Sequence, residues 1–381
     1  MQLPIFESVC RLPPGFRAAG VHAGIKADPA KADMALLVSD VPGTVAAGMF
    51  TTNRVQAAPV KIDRERLQAG RARAVVINSG NANACTGPQG HADALEMARL
   101  TAQALDLPEE EVLVCSTGTI GKPLDLGPIR RGIGLLKEAL RPDGGDAAAV
   151  AIMTTDTRPK SCTTTVQIDG RTVTLSGFCK GAGMIEPNMA TMLAYVCTDA
   201  AVTPELLRAA LQEAVNLSFN RISIDGDTST NDSVFAFANG AAGHATLTEE
   251  HPDYPSFQAA LNGVVFDLAM KIVWDGEGMT RFVELRAAGA ESDAEADKAL
   301  RAVANSFLVK TGWAGTYPVW GRIADVLGYC GVEIDPDRLA IDYEDVPVMR
   351  QGMAAGTPKS ALDEIVTRNR YTITLDLGTG G

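Results

Sequence analysis

Chemistry in this sequence has to be found with little histidine. His22, His91, His244 and His251 are its four imidazoles, none in an H-E-x-x-H setting, and no cysteine belongs to a C-x-x-C pair. Zinc catalysis therefore has little support, and no metal ligand is assigned. His91 and His251 read as solvated residues at helix edges. A Ser-His-Asp hydrolase stays open, although no G-x-S-x-G elbow supports it. Gly118–Lys122 lacks Walker spacing, and Gly181-Ala182-Gly183 has no third glycine where a dinucleotide loop needs one. Asp225–Asp232 looks like a calcium loop until its sixth and twelfth positions are read: Thr230 and Ala236 stand where Gly and Glu are required. It reads instead as a hydrogen-bonded turn.

One nucleophile needs no histidine. A threonine hydroxyl is weak until a base takes its proton, and the α-amine of an N-terminal threonine can be that base. That amine titrates at about 7.7–8.0, near working pH, whereas a lysine at about 10.4 would need strong perturbation. Thr191 would qualify if the Ala190–Thr191 bond broke. Gly181, Gly183 and Pro187 could bend the loop before it, and small Ala190 would leave its carbonyl open to attack. From residue types alone this is one idea among several, because Thr ahead of a buried strand is usually there as a β-former.

The elements that must position such residues alternate along the first half. Arg73–Asn78 reads as a buried strand ending in a polar loop, Ser79–Gly87. A helix follows at His91–Leu105, then a short strand Val112–Cys115 and a second loop, Ser116–Lys122. Thr163–Ile168 and Arg171–Ser176 flank Asp169-Gly170 as a hairpin. The loop Lys180–Ala190 enters Thr191–Thr198, whose residues suit a strand buried on both faces. Pro204–Asn216 is helical with Leu206, Leu207, Leu211 and Val215 on one face, and Tyr254–Trp274 is a long helix. Arg281–Arg286 reads as a strand, Ser292–Leu308 as one helix, and Tyr371–Leu377 as a strand. Patterning restarts between Gly278 and Leu285, which divides the chain into 1–278 and 279–381.

A chain of 381 residues, 46% hydrophobic and 21% charged, is long enough for two globular domains. A net charge of −12 argues against a nucleic-acid or anionic-membrane partner, since phosphate contacts need clustered Lys and Arg. No unbroken apolar run is long enough to cross a bilayer, and the first twenty residues lack a secretory pattern. Cys10, Cys85, Cys115, Cys162, Cys179, Cys197 and Cys330 are odd in number and scattered, which suits a reducing cytosol with most of them as small core residues.

Lys180–Thr198, KGAGMIEPNMATMLAYVCT, resembles the cleavage-site signature of the ornithine acetyltransferases, bifunctional enzymes of arginine biosynthesis. GFRAAGVHAGIK (Gly15–Lys26), NSGNANACTG (Asn78–Gly87), CSTGTIG (Cys115–Gly121), MTTDT (Met153–Thr157), FNRISIDGDTSTND (Phe219–Asp232) and DGEG (Asp275–Gly278) resemble further family motifs in the expected order. They span nearly the whole chain. The resemblance implies a four-layer αββα sandwich with a smaller C-terminal α/β domain, cleaved at Ala190–Thr191 and assembled as an α2β2 heterotetramer. It implies Thr191 as nucleophile, Thr117 and Gly118 as the oxyanion hole, and Thr154, Lys180 and Glu277 as substrate-binding residues.

The activity so implied is ping-pong acetyl transfer from N2-acetylornithine to glutamate in the cytoplasm, without a cofactor; some members also take acetyl-CoA as donor. Two departures bear on the substrate. The family continues past a D-L-G-x-G segment to a tail with further ligands, whereas this sequence stops at Gly381, so no C-terminal ligand is assigned. Thr316-Tyr317-Pro318-Val319-Trp320-Gly321-Arg322 stands where the family has D-P-N-W-G-R, so Tyr317 and Val319 bear on substrate range. Two other readings are kept: an N-terminal-nucleophile aminopeptidase or amidase, and an uncleaved relative that only binds amino acids.

Overall fold

Runs of apolar residues with no polar alternation need cover on both faces, and stacked sheets between helices supply it. The computed structural model describes residues 6–186 and 192–380. In chain order its elements are β1 (Phe16–Val21), β2 (Met34–Ser39), β3 (Val45–Phe50), α1 (Ala58–Arg66), β4 (Ala74–Asn81), α2 (Gly87–Leu105), β5 (Val112–Thr119), α3 (Leu126–Ala139) and α4 (Gly145–Ala151). β6 (Lys160–Ile168), β7 (Arg171–Lys180), β8 (Leu193–Thr198), α5 (Pro204–Asn216), β9 (Ser233–Ala238) and α6 (Tyr254–Val273) follow. Then come β10 (Phe282–Ala288), α7 (Asp293–Asn305), α8 (Phe307–Ala314), α9 (Trp320–Tyr329), β11 (Ala340–Tyr343), β12 (Val346–Arg350), β13 (Met353–Ala354), α10 (Lys359–Val366) and β14 (Arg370–Asp376). The chain divides into two compact units, Met1–Glu277 and Gly278–Gly381.

The first unit holds a four-stranded sheet, β1-β2-β4-β5, and a five-stranded sheet, β3-β9-β8-β7-β6. Between them Phe16, Leu37, Ile77 and Leu113 of one sheet meet Phe178, Leu193, Tyr195 and Phe235 of the other. Behind the first sheet lie α2 and α3, with Met97, Ala98, Ile129 and Ile133 against Val76 and Val114. Behind the second lie α5 and α6, with Leu207, Leu211, Val264 and Leu268 against Leu175 and Val196. The order is therefore helices, sheet, sheet, helices: a four-layer αββα sandwich.

β8 explains its own sequence. Leu193, Tyr195 and Cys197 face the inter-sheet core while Ala194 and Val196 face the helices, so every position is buried. Tyr195 stacks between Phe178 and Phe235 at ring-centroid distances of 5.1 and 5.7 Å. Each such side chain, fully buried, contributes about 1.5–3 kcal/mol. β8 lies antiparallel to β7, with Lys180 opposite Leu193, and parallel to β9, with Leu193 opposite Ser233. The β6–β7 hairpin turns at Asp169 and Gly170, both at positive φ, as a two-residue loop matching strand twist requires.

Sequence and structure part at several places. β4 does not stop at Asn78; Ser79–Asn81 of the first polar loop are strand as well. β5 does not stop at Cys115; Ser116–Thr119 continue the parallel pairing with β4, so part of the polar loop is strand. The single helix read at Ser292–Leu308 is two, broken at Ser306, whose hydroxyl accepts the Val309 N–H and starts a new helix. His251 is not solvated: its ring is 10% exposed, lies 3.4 Å from Asp169 Oδ2 and accepts the Asp253 N–H.

α6 is long and apolar enough to cross a membrane by length and composition, yet Phe257, Leu261, Val264 and Leu268 belong to the core. The second unit has its own sheet, β10-β14-β11-β12-β13, and its own core of Trp313, Ile323, Tyr343, Val366 and Tyr371. Tyr317 is exposed there, while Val319 is buried against Gly312 ahead of α9.

Candidate active site

The C-terminal ends of β4, β5 and β7 carry the polar residues that the strands themselves cannot use. β5 delivers Thr117 and Gly118, and β7 of the facing sheet delivers Lys180. Lys180 Nζ donates to Thr117 Oγ1 at 3.2 Å, with both side chains buried. A hydroxyl that accepts from lysine keeps its own hydrogen free to donate elsewhere. Gly118 lies beside Gly80 of β4 at φ +133°, and a Cβ there would come within 2.3 Å of the Gly80 carbonyl carbon. No other residue fits. The close approach leaves the Gly118 backbone exposed at the strand end.

Lys180 has no surface-charge role. Burial pushes its ammonium below the usual lysine range, and the nearby carboxylates of Asp156 and Asp232 offset this only in part. Asp156 is the hub behind it. Its Oδ1 accepts Lys160 Nζ and the Gly181 N–H, each at 2.7 Å, and its Oδ2 accepts the Thr154 N–H at 3.0 Å. Burial raises the Asp156 pKa, but Lys180, Lys160 and the Gly181 N–H outweigh it and hold the carboxyl below its ordinary value. Lys160 also reaches Asp275 Oδ2 at 2.6 Å, and Asp275 accepts both the N–H and the hydroxyl of Thr157. One buried ionic cluster thus fixes the strand end carrying Lys180 and the loop carrying half-buried Thr154.

The chain running on from Lys180 is tied down residue by residue. The Glu277 N–H donates to Ala182 O at 2.7 Å, and Asp225 accepts the N–H groups of Met184 and Ile185 at 2.6 and 2.8 Å. Glu186 N–H donates to Asp227 O at 3.0 Å. The acidic turn read between Asp225 and Asp232 is therefore a splint for this segment. Glu277 is exposed, with its carboxylate against Gly183, where a Cβ would sit 2.2 Å from Oε2. Where the description resumes, Met192 O accepts the Ser233 N–H at 3.1 Å. Ala190 and Thr191 lie outside the described residues, between these two anchored ends.

Three residues that bind this region together fall within the motifs but carry no role readable from sequence: Asp156, Asn231 and Asp232. Asn231 Nδ2 donates to Ala82 O at 2.6 Å and Ser116 O at 2.8 Å, joining the loop before β9 to the other sheet. Asp232 is 3% exposed, and its Oδ2 has no hydrogen-bond partner among the described residues. The available signal is an acid or amide shortly ahead of a buried strand, Asp156 before β6 and Asn231 and Asp232 before β9. Its burial becomes visible only with the fold.

Fold and site together define an αββα-sandwich enzyme, with buried lysine, threonine and carboxylates converging at the strand ends. More particularly, the chain belongs to the ArgJ family, whose family model it matches over residues 17–381. It is 49% identical to the arginine biosynthesis bifunctional protein ArgJ of Geobacter sulfurreducens over 367 residues, covering 96% of this chain and 93% of that one. With the protein of the same name from Symbiobacterium thermophilum the identity is 48%, covering 97% and 92%. A solved structure of ornithine acetyltransferase complexed with ornithine, from Mycobacterium tuberculosis, is 43% identical with a TM-score of 0.46 and covers 49% of this chain and 98% of that chain.

Proposed function

We propose that this enzyme transfers the acetyl group of N2-acetylornithine to glutamate through an acetyl ester on Thr191, freed as an N-terminus by self-cleavage after Ala190. The relatives' role in arginine biosynthesis supports the pathway. The observation that carries the mechanism is the Lys180–Thr117 hydrogen bond, which leaves the Thr117 hydroxyl hydrogen available beside the exposed Gly118 backbone.

In the first half-reaction the Thr191 α-amine takes the Oγ proton as Oγ bonds the acetyl carbonyl carbon. The Thr117 O–H and the Gly118 N–H donate to the oxyanion. Collapse breaks the acetyl C–N bond, and the proton on the α-amine passes to the departing nitrogen of ornithine. Glutamate then attacks the ester through its neutral amine. Acetylglutamate leaves, and Thr191 Oγ regains its proton. Lys180 serves a substrate carboxylate or the oxyanion's surroundings, Glu277 pairs with a substrate ammonium, and Thr154 contacts substrate. Acetyl-CoA is a second donor in this reading.

Thr117→Val removes one oxyanion donor, and kcat for acetyl exchange should fall about 10²–10³-fold, while Thr117→Ser should retain most of it. Thr191→Ala should leave one uncut chain and no exchange by mass spectrometry. An uncut Thr191→Ala chain that still exchanges acetyl groups would refute the acyl-enzyme.

A further inference from the structure

Lys26 is a half-buried cation beside this site that the mechanism leaves unused. Its backbone belongs to a turn wrapped round a fully buried acid. Asp33 Oδ1 accepts the Ala23 N–H at 2.6 Å, and Oδ2 accepts those of Gly24, Ile25 and Lys26 at 3.1, 2.7 and 3.0 Å. The Lys26 stem lies against the end of β4: a Cβ on Gly80 would come within 3.3 Å of Lys26 Cγ, and Gly80 is the strand partner of Gly118. Its ammonium donates to Ala32 O at 2.8 Å and to Met153 O at 2.7 Å. The peptide group between Met153 and Thr154 is thus held at both ends, its O by Lys26 and its N–H by Asp156. Two carbonyls satisfy two of the three ammonium donors and none of the charge. Among the described residues no carboxylate pairs with that ammonium. Asp33 is taken up by four backbone N–H groups, and Asp156 by Lys160, Gly181 and Thr154. Burial pushes the Lys26 ammonium below the usual lysine range; Lys31 and Lys180, as like charges, push the same way, while Asp33 and Asp156 pull against them. Two ammonium groups that repel one another, one half-buried and one buried, are relieved by an anion bound to both.

We propose that Lys26 completes, with Lys180 and Thr154, the subsite for the carboxylate that the two substrates share. The inference deepens the acetyl-exchange reading and rests on it. In N2-acetylornithine and in glutamate alike, the carbon bearing the reacting nitrogen also bears a carboxylate. That nitrogen must stand against the same acetyl carbon in both half-reactions, so the carboxylate beside it returns to one place. Two ammonium groups and a hydroxyl suit it, and Lys26 has one N–H uncommitted among the described residues. The carboxylate keeps its charge while bonds form and break at the neighbouring nitrogen. Its binding is therefore equal in ground and transition states, and losing it raises KM while leaving kcat.

Steady-state kinetics of acetyl exchange by the purified enzyme separate binding from turnover. Lys26→Met should raise KM for N2-acetylornithine and for glutamate about 10–10²-fold each, the loss of one hydrogen bond to a charged group, with kcat within about threefold of wild type. Lys26→Arg should recover most of that loss. N-acetyl-1,4-diaminobutane, the donor without its carboxylate, should compete with N2-acetylornithine equally well in wild type and in Lys26→Met. A fall in kcat with both KM values unmoved would mean that Lys26 only supports the fold, and overturns the subsite. So does a decarboxylated competitor weakened as much as the true donor. If Lys26→Met fails to fold by circular dichroism, Lys26→Gln, which keeps an N–H donor without the charge, is held to the same outcomes. Wild type that exchanges no acetyl groups defeats the acetyl-exchange reading itself. Wild-type exchange with unmoved KM values in the neutral variant defeats the Lys26 subsite alone.

Discussion

At the scale of single residues, the site is set by charges taken out of water. Lys180 looks in sequence like any surface lysine, and Asp156 like one more acid in MTTDT. Only the fold shows the first buried and the second bonded to Lys160, Gly181 and Thr154 at once. Because the Asp156 pKa is depressed in the folded chain, its contribution to stability is present above the unfolded value of about 3.9 and is lost as pH falls through the lower folded value. Asp156→Asn leaves Lys160 with one carboxylate instead of two. Breaking a buried pair in this way should cost about 3–5 kcal/mol at pH 7, measured by urea unfolding. The gap between variant and wild type should narrow as pH falls from the ordinary carboxylate value of about 3.9 through the lower folded value. A gap that stays constant as pH falls would mean that the lost charge is not the cause.

At the scale of elements, local pattern fixed what local physics controls. Leu206, Leu207, Leu211 and Val215 recur at helical spacing behind a Thr203-Pro204 start, and α5 is that helix, with Thr203 Oγ1 accepting the Leu206 N–H. Asp169-Gly170 marks the hairpin for the same reason: few residues tolerate its positive φ. The polar end of β5 was not legible, because Ser116–Thr119 are strand only through their partners Asn78–Asn81. Nor was the break at Ser306, since Phe307 and Leu308 extend the apolar pattern that suggests one helix. Asn231 acts at this scale too, as the amide that ties the β9 loop to the end of β5. Asn231→Leu leaves the Ala82 and Ser116 carbonyls buried without that donor, at about 1–3 kcal/mol each. The two sheets should keep their cores while thermal unfolding comes several degrees earlier, and acetyl exchange should fall more steeply than stability, because Thr117 follows Ser116 directly. Exchange that survives at the wild-type rate would separate Asn231 from the site.

At the scale of the molecule, the proposed cut falls inside a sheet and not between bodies. β7 and β8 are neighbours in the five-stranded sheet, paired from Leu175–Thr198 through Lys180–Leu193, yet a break at 190/191 assigns them to different fragments. β3, β6 and β7 would belong to the first fragment and β8 and β9 to the second, so β3 and β9 also pair across the division. α6 of the second fragment packs on β6 and β7 of the first, with Leu268 and Val264 in the same core as Cys162 and Leu175. Separating the fragments would strip two strand pairs and a helix layer, which is most of the work of unfolding the sandwich. The expected behaviour is therefore one particle under native conditions and two polypeptides only in denaturant. Size-exclusion chromatography with light scattering should give the same mass before and after cleavage, that of two chains if the α2β2 assembly holds. Urea should release both fragments in a single transition. A cleaved sample whose halves separate in buffer would show that strand pairing across the cut does not hold the enzyme together.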